Sequence, residues 1–434
     1  MSVTTRSLSG ALAAVVGRGG FHDDAPTLAR AAVDGLTPRW LVSPETPDQL
    51  AQVVALARAE DLSVVPRGSG GNLEQGGVPR GVDLVLDVRR LDAVVEHNPD
   101  DLTITVQAGI TAGALAARLA PHRQALPLDP PGWSARTLGG IASTHASGPL
   151  RMRYGTMRDL LLGVRFVQAD GVLTWGGAKV VKSVTGYDVP KLLVGALGTL
   201  GVLVELTLRL HPAPDVEGAW LATFRSTAEA HECVAMLLAS TLQPNRLEIL
   251  DDRALAACGL PAAAAALAVS IATVEPAVLA QETALADLVA SAGGTVETLN
   301  GSVWSAYDRM LAAGGGGGVT LRIGTVPSRL AATLSETRRV FGTAAVAGSA
   351  ALGALRARID GVDVGALARG IERLRELVAD VDGGVMIERG PRALREAIDP
   401  WGSVPPPALA VMRGIKEAFD PTGVLNPGRF VGGL

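Results

Sequence analysis

Two cysteines, Cys233 and Cys258, are all the thiol chemistry that 434 residues offer. They cannot build a disulfide framework, and there is no C-x-x-C pair to hold zinc or an iron–sulfur cluster. No metal site is expected, the chain is expected inside the cell, and cluster-borne electron transfer would belong to another polypeptide. Cationic runs are missing too. Lys and Arg number 39 against 43 Asp and Glu, a formal net charge of −4, and no basic stripe is present to neutralise phosphates. Nucleic acid is therefore not an expected partner. Neither a G-x-x-x-x-G-K-[ST] phosphate loop nor a G-x-S-x-G elbow occurs, so ATPase and serine-hydrolase chemistry lose their main support. One stretch, Ala254 to Val274, runs without a charge for as long as a membrane span requires. It is mostly alanine, is broken by Gly259 and Pro261, and ends in an alternating run, so it reads as a loop followed by a core strand. The apolar run Leu12–Val16 before GRGG is too short for a signal peptide.

What remains is a composition that can build cores: 48% hydrophobic residues, with 52 glycines and 26 prolines. That is loop-rich, yet below the ~25–30% Gly plus Pro of low-complexity chains, and the length suits about two or three domains. Thr46-Pro47-Asp48-Gln49 opens the first legible helix with a cap residue, proline at the first helical position and Gln three residues after the cap. Strands are expected at LSVVP (62–66), Asp83–Val88 and LTITVQ (102–107), with a small-residue helix from Thr111. VRFVQADGVLTW reads as a hairpin turning on Asp170-Gly171, and GVLVELTLRL (201–210) as a further strand. HPAPD at 211–215 reads as a joint. Beyond it a second capping box, Ser226 with Glu229, starts a helix. Strands then alternate with helices through RLEIL, LAVSIATV, TVETL and VTLRIG, with helices from Pro276 and Pro327. Leu367, Ile371, Leu374 and Val378 mark one helix face. The five glycines Gly314–Gly318 read as a loop with no ligand role. The implied divisions are an extension at 1–38, a first domain at 39–212, an inserted α+β domain at 216–400, and a closing segment at 408–434 that returns to the first domain.

Three segments are dense in small residues. RGSGG (67–71) follows a strand, and closely spaced glycines let main-chain N–H groups converge on an anion, since no Cβ blocks the approach and φ can be positive. A pyrophosphate is the natural guest, each charge-assisted hydrogen bond contributing ~1.5–3 kcal/mol. The loop is not the G-x-G-x-x-G dinucleotide fingerprint, which from Gly68 would need glycine where Leu73 stands. The second segment is PPGWSARTLGGIASTHASGPLRMRYG (130–155), and the third is GALGTLGVLVEL (195–206). Read singly, each also suits a plain turn or close helix–strand packing.

In this order the segments resemble the FAD-linked oxidases of the vanillyl-alcohol oxidase type, which carry a PCMH-type FAD-binding domain. The pieces are V-x-P at Val42–Pro44, PRGSGG, VQAGI (106–110), TLGGIAS, RYG (153–155), the hairpin, ALGTLGVL, and the closing FDPTGVLNPGRF. Within that family the length, the A-R-T-L-G-G run and the NPGR ending are similar to the FAD-binding subunit of bacterial glycolate oxidase complexes. The resemblance implies a two-part FAD-binding α+β domain with an inserted ferredoxin-like α+β cap. It also implies that Arg67, Gly68, Ser69, Gly70, Gly71 and Asn72 hold the pyrophosphate. Gly109, Pro131 and Gly132 would border the flavin. Thr137, Leu138, Gly139, Gly140, Ser143, Gly148, Tyr154 and Gly155 would line its path, and Gly198, Gly201 and Val202 would meet it from the third segment. Asn426 and Arg429 lie in the closing signature and carry less weight. Relatives with covalent flavin place histidine in the Gly-rich loop; Asn72 stands there, so FAD is expected to be non-covalent.

The same resemblance implies oxidation at a CH–OH group of a small 2-hydroxy acid, beside a sister flavoprotein and an iron–sulfur subunit. The site would be cytoplasmic, or membrane-peripheral through those partners. Relatives supply a histidine from a carboxyl-terminal G-E-H-G motif; here no histidine follows His231. The candidates left to face substrate are Arg246, Glu248, Arg322, Glu388 and Arg389, with Tyr187 and Lys182 near the third segment, and His145 reads more readily as a packed or surface histidine. No spacing compels a choice of base. Three functions stay open: the FAD-binding subunit of a glycolate oxidase-like complex, a stand-alone FAD-dependent 2-hydroxy-acid dehydrogenase, and a flavin-binding scaffold that does not turn over.

Overall fold

The computed structural model describes residues 3–178, 186–299, 301–312 and 318–434. Lys182 and most of the five-glycine run, Gly314–Gly317, lie outside the described residues.

Two small sheets make the first part. Strands 40–42, 84–87 and 64–67 pair in parallel, with 21–22 antiparallel at one edge. They pack on the helix Pro47–Ala59, where Thr46 Oγ1 accepts from Gln49 N (3.2 Å) and Gln49 Oε1 from Glu45 N (2.7 Å). The second sheet is antiparallel, in the order 94–98, 103–107, 202–209, 161–167, 173–177. Its last pair is the hairpin expected at Asp170-Gly171, with Gly171 at φ 84°. The closing segment returns here: the helix Pro406–Phe419 is followed by residues that lie along the strand Val64–Arg67 (Val64 N to Val424 O and Asn426 N to Val64 O, both 2.8 Å). Buried Asp420 fixes that return. It pairs with Lys416 (2.6 Å) and accepts from Val424 N and Leu425 N, while Lys416 Nζ also donates to Thr199 O (2.7 Å).

Residues 216–389 form one eight-stranded antiparallel sheet made of two β-α-β-β-α-β units, the ferredoxin-like pattern. In the first, strands 216–224, 246–251, 265–273 and 295–299 enclose helices 227–239 and 275–291; the second repeats this with strands 319–324, 345–349, 354–359 and 384–389 and helices 330–340 and 364–379. The units join edge to edge where 246–251 pairs with 345–349.

Alternation along these strands separates two faces. Leu247, Ile249, Leu321, Ile323, Leu355, Ala357, Val385 and Ile387 are buried against the four helices. The residues between them, Arg246, Glu248, Arg322, Arg356 and Glu388, belong to the opposite face. The short helix Asp252–Cys258 and the helix Ser302–Ala312 cover part of that second face with Leu255, Tyr307, Met310 and Leu311. The helix Asp252–Cys258 corrects the loop expected after Ala254: Asp251 Oδ1 accepts from Ala254 N (2.7 Å), alanine propagates the helix and Gly259 (φ 66°) ends it.

Candidate functional site

The glycine-rich loop stands at the end of Val64–Arg67, as its sequence position requires. Gly70 has φ +80°, which a β-branched residue cannot adopt without strain. Gly68 lies so close to Thr137 that a Cβ there would stand 2.0 Å from Oγ1. Thr137 is fully buried and caps the helix Leu138–Thr144 by accepting from Gly140 N (3.2 Å). The first two small-residue segments thus pack against each other, and a cleft opens beside them. One part is lined by Arg67–Leu73 with Arg136, Gly140, Ser143, Thr144, Leu197, Asn426 and Arg429; the adjoining part by Gly68, Ala108, Gly139, Gly140, Ser143, Gly198, Gly201 and Val202.

The other expected residues fall elsewhere. Leu138 is in the core, and Gly109 lies against the turn Val88–Leu91, where a Cβ would meet Val88 O at 2.1 Å. Tyr154 sits edge-on to His211, and Gly155 packs on Asp159. Gly148 presses on the main chain of Asp129. Pro131 lines a separate, larger cavity with Trp133, Trp304 and Tyr307, and Gly132 N donates to Asp308 (2.7 Å) at its edge. Arg136 went unnoticed in the sequence, inside A-R-T-L-G-G. It is buried, burial pulls it down to about 10, and it remains a cation at neutral pH.

The cleft fits an anionic dinucleotide. Three of its side chains hold buried polar atoms without partners, Arg67 Nε, Arg429 Nε and Asn426 Oδ1. Glycine keeps the loop clear of Cβ atoms, and the lining carries Arg67, Arg136 and Arg429 with no carboxylate.

A second cleft is lined by the residues that follow Thr144 in the chain. Ser143 and Thr144 line the first; His145 and Ser147 line the second, together with Arg151, Arg322, Gly324, Gly353, Met386 and Trp401. The eight-stranded sheet lines it with Arg322, Gly324, Ala354 and Met386, and an ion network stands on the same sheet face as Arg322. There Arg356 grips Glu388 through two bonds (2.7 and 3.1 Å) and donates to Ser147 O (2.9 Å), and Arg389 donates to Gly71 O (2.8 Å). Burial alone would raise Glu388, but Arg356, with Arg322 and Arg136, holds it down at about 2. Arg246 is taken by Asp129 (3.1 Å) and Glu217, and Tyr187 is 96% exposed. Arg151 and Arg322 have no carboxylate within ion-pair reach among the described residues; the bond formed by Arg151 is to Ser147 Oγ (3.5 Å). Glu248 is wholly buried and accepts from Tyr307 Oη, and burial pushes it up to about 8 despite that bond.

His145 is the neutral member of this cleft. Burial, then Arg322 and Arg151, lower it from its ordinary value. Thr156 donates its one hydroxyl proton to Asp159 (2.9 Å), so His145 Nε2, 3.1 Å from the same oxygen, is the donor there. That leaves Nδ1 with its lone pair. The only sequence signal for this role was the position of His145 inside the second segment.

Similarity to known proteins follows the same division. Residues 38–177 match the FAD binding domain family model, and residues 213–385 and 402–430 match that of the FAD linked oxidases, C-terminal domain. Glycolate oxidase subunit GlcD of Bacillus subtilis is 31% identical over 53% of this chain and 50% of its own length. D-2-hydroxyglutarate dehydrogenase of Xanthomonas citri is 27% identical over 91% of this chain and 90% of its own. A solved p-cresol methylhydroxylase shares the fold, with a TM-score of 0.79 at 16% identity over 99% of this chain and 97% of that one. No helix among the described residues is long and apolar enough to cross a membrane.

Proposed function

This chain belongs to the FAD-linked oxidases, and from that premise we propose that it oxidises the CH–OH carbon of a small 2-hydroxy acid, as the flavin-binding subunit of a glycolate-oxidase-like assembly. The observation that carries the reading is the second cleft: two arginines with no ion pair among the described residues and one neutral histidine, lined by His145 and Ser147 immediately after the Ser143 and Thr144 that line the cofactor cleft. The names of the glycolate oxidase subunit and the hydroxy-acid dehydrogenases among its relatives support the same substrate class.

Arg67–Asn72, Gly139, Gly140, Ser143, Gly198, Gly201 and Val202 would hold FAD, without a covalent bond, since Asn72 and not histidine stands in the loop. When bound, the flavin supplies the two-electron acceptor. Arg151 and Arg322, neither in an ion pair among the described residues, bind and orient the substrate carboxylate. The Arg356–Glu388 pair, anchored on Ser147 O, fixes the cleft wall. His145 Nδ1 takes the hydroxyl proton, and the Thr156–Asp159 pair holds the ring in the tautomer that makes this possible. His145 would thus take the proton lost from the substrate oxygen, the bound flavin would supply the acceptor for the two electrons lost from carbon, and a 2-oxo acid would result. The electrons would then leave for a partner subunit carrying iron–sulfur clusters.

The test is anaerobic. Purified holoprotein mixed with glycolate or D-lactate is expected to lose its flavin absorbance within turnover time. A flavin that stays oxidised with every 2-hydroxy acid tried, alone and with co-purifying proteins present, overturns the reading. A second reading, turnover without partners, is favoured by the dehydrogenase relatives that align along nearly their whole length. Bleaching by the isolated chain, followed by reoxidation with a small-molecule acceptor, selects it.

A further inference from the structure

The residues between the glycine-rich loop and the cap are held by a buried ionic node that the loop sequence does not contain. Asp34 and Gly35 form a two-residue turn closed by Val33 and Leu36 (2.9 Å in both directions), with φ of 52° and 77°, the conformation that Asp-Gly favours. The turn aims the Asp34 carboxylate at two guanidinium groups. Oδ2 accepts from Arg395 Nη1 (3.0 Å) and Arg429 Nη1 (2.8 Å), and Oδ1 from Arg395 Nη2. The three side chains are 3%, 1% and 3% exposed.

Other donors of both arginines reach the loop's own carbonyls, Arg429 to Gly77 O (2.9 Å) and Leu73 O and Arg395 to Gly76 O (3.3 Å), while Arg395 Nε donates to Gly390 O (3.1 Å). The main chain of Gly76-Gly77 also rests on Gly428 and Arg429, where added Cβ atoms would lie 2.3 and 2.2 Å from carbonyl oxygens. Arg429 lines the cofactor cleft, and its Nε is buried without a partner. Two buried cations share one carboxylate, so without Asp34 they would face each other in a site closed to water. Asp34 and Arg395 both lie outside the spans that match the family models.

We propose that Asp34 is a positioning residue for FAD: it holds Arg429 and Arg395 against the carbonyls of residues 73–77, fixing the shape in which the loop presents its N–H groups to the diphosphate. This rests on the assignment of residues 67–72 to the diphosphate. The experiment measures the FAD dissociation constant of the full-length apoprotein by flavin fluorescence, alongside the thermal stability of the same apoprotein.

Asp34→Asn keeps the shape and removes the charge. It is expected to raise the dissociation constant by about tenfold or more, the loss of one charge-assisted contact. A constant within twofold of wild type, with apoprotein stability lowered, makes Asp34 merely structural and overturns the proposal. Arg395→Gln leaves one carboxylate with one guanidinium and guards against a variant that does not fold; it is expected to weaken FAD less than Asp34→Asn, and an unchanged constant there overturns the proposal as well. Gly68→Val separates the two levels. If it keeps FAD, the loop assignment itself is wrong; if it loses FAD while Asp34→Asn does not, only the role of Asp34 falls.

Discussion

The two walls of the site are built from different parts of the polypeptide. The first-domain wall works through main chain: glycines bring N–H groups and carbonyls close, and side chains are trimmed away. The cap wall works through side chains: Arg322, Arg356 and Glu388 on one face of three neighbouring strands, locked to one another or left to face the cleft. A cofactor common to a family can be held by backbone, which constrains sequence tightly. Under the proposed reading, substrate recognition would rest on side chains projecting from alternate strand positions of the cap.

Breaking the first wall is expected to have the largest effect. Gly68→Val drives a side chain into Thr137 and is expected to abolish FAD retention, read as loss of flavin absorbance after gel filtration, while the cap keeps its fold. Breaking the second wall is expected to spare the flavin. Arg322→Met is expected to cost about 2–5 kcal/mol of substrate affinity, a roughly 30-fold or greater rise in the concentration that half-saturates flavin reduction. His145→Gln is expected to slow reduction by about 10²–10⁴-fold with saturation little changed, and to remove the acidic limb of the pH–rate profile, since the histidine acts neutral.

The smallest effect concerns stability alone. Glu248 is raised from 4.5 to about 8 by burial. Its contribution is therefore full below about pH 4.5 and is lost as pH rises through about 8. Glu248→Gln, which can still accept from Tyr307, is expected to flatten that fall in a urea-denaturation series from pH 5 to 9; an unchanged slope would place the titrating group elsewhere.

What could be read from the sequence follows the same contrast. RGSGG, TLGG and ALGTLGVL are local patterns whose spacing reflects a local need, and they meet around one cleft. Pro131 and Gly132 belong to the same small-residue segment, yet Pro131 lines a different cavity and Gly132 donates to Asp308 beside it. The hairpin and four of the cap's eight strands follow from alternation and caps, while the ferredoxin-like pattern was an implication of the resemblance and strands 216–224, 345–349, 354–359 and 384–389 were not read; the helix at Asp252–Cys258 was hidden by an alanine run that could also be a loop. Arg322 and Glu388 are among the candidates the sequence offers on the cap, but no spacing ranks them, since at alternate strand positions they look like a solvated surface until an opposing domain covers them. Asp34 could not be read at all: its partners are 361 and 395 residues away, and nothing in an Asp-Gly turn announces them.

The most direct test is a crystal structure of the FAD-loaded protein with glycolate or D-lactate bound under turnover-blocking conditions. The account expects the carboxylate on Arg151 and Arg322, with the hydroxyl oxygen at His145 Nδ1. A ligand seated instead in the cavity walled by Trp133, Trp304 and Tyr307, with the arginine cleft holding only water, would contradict it.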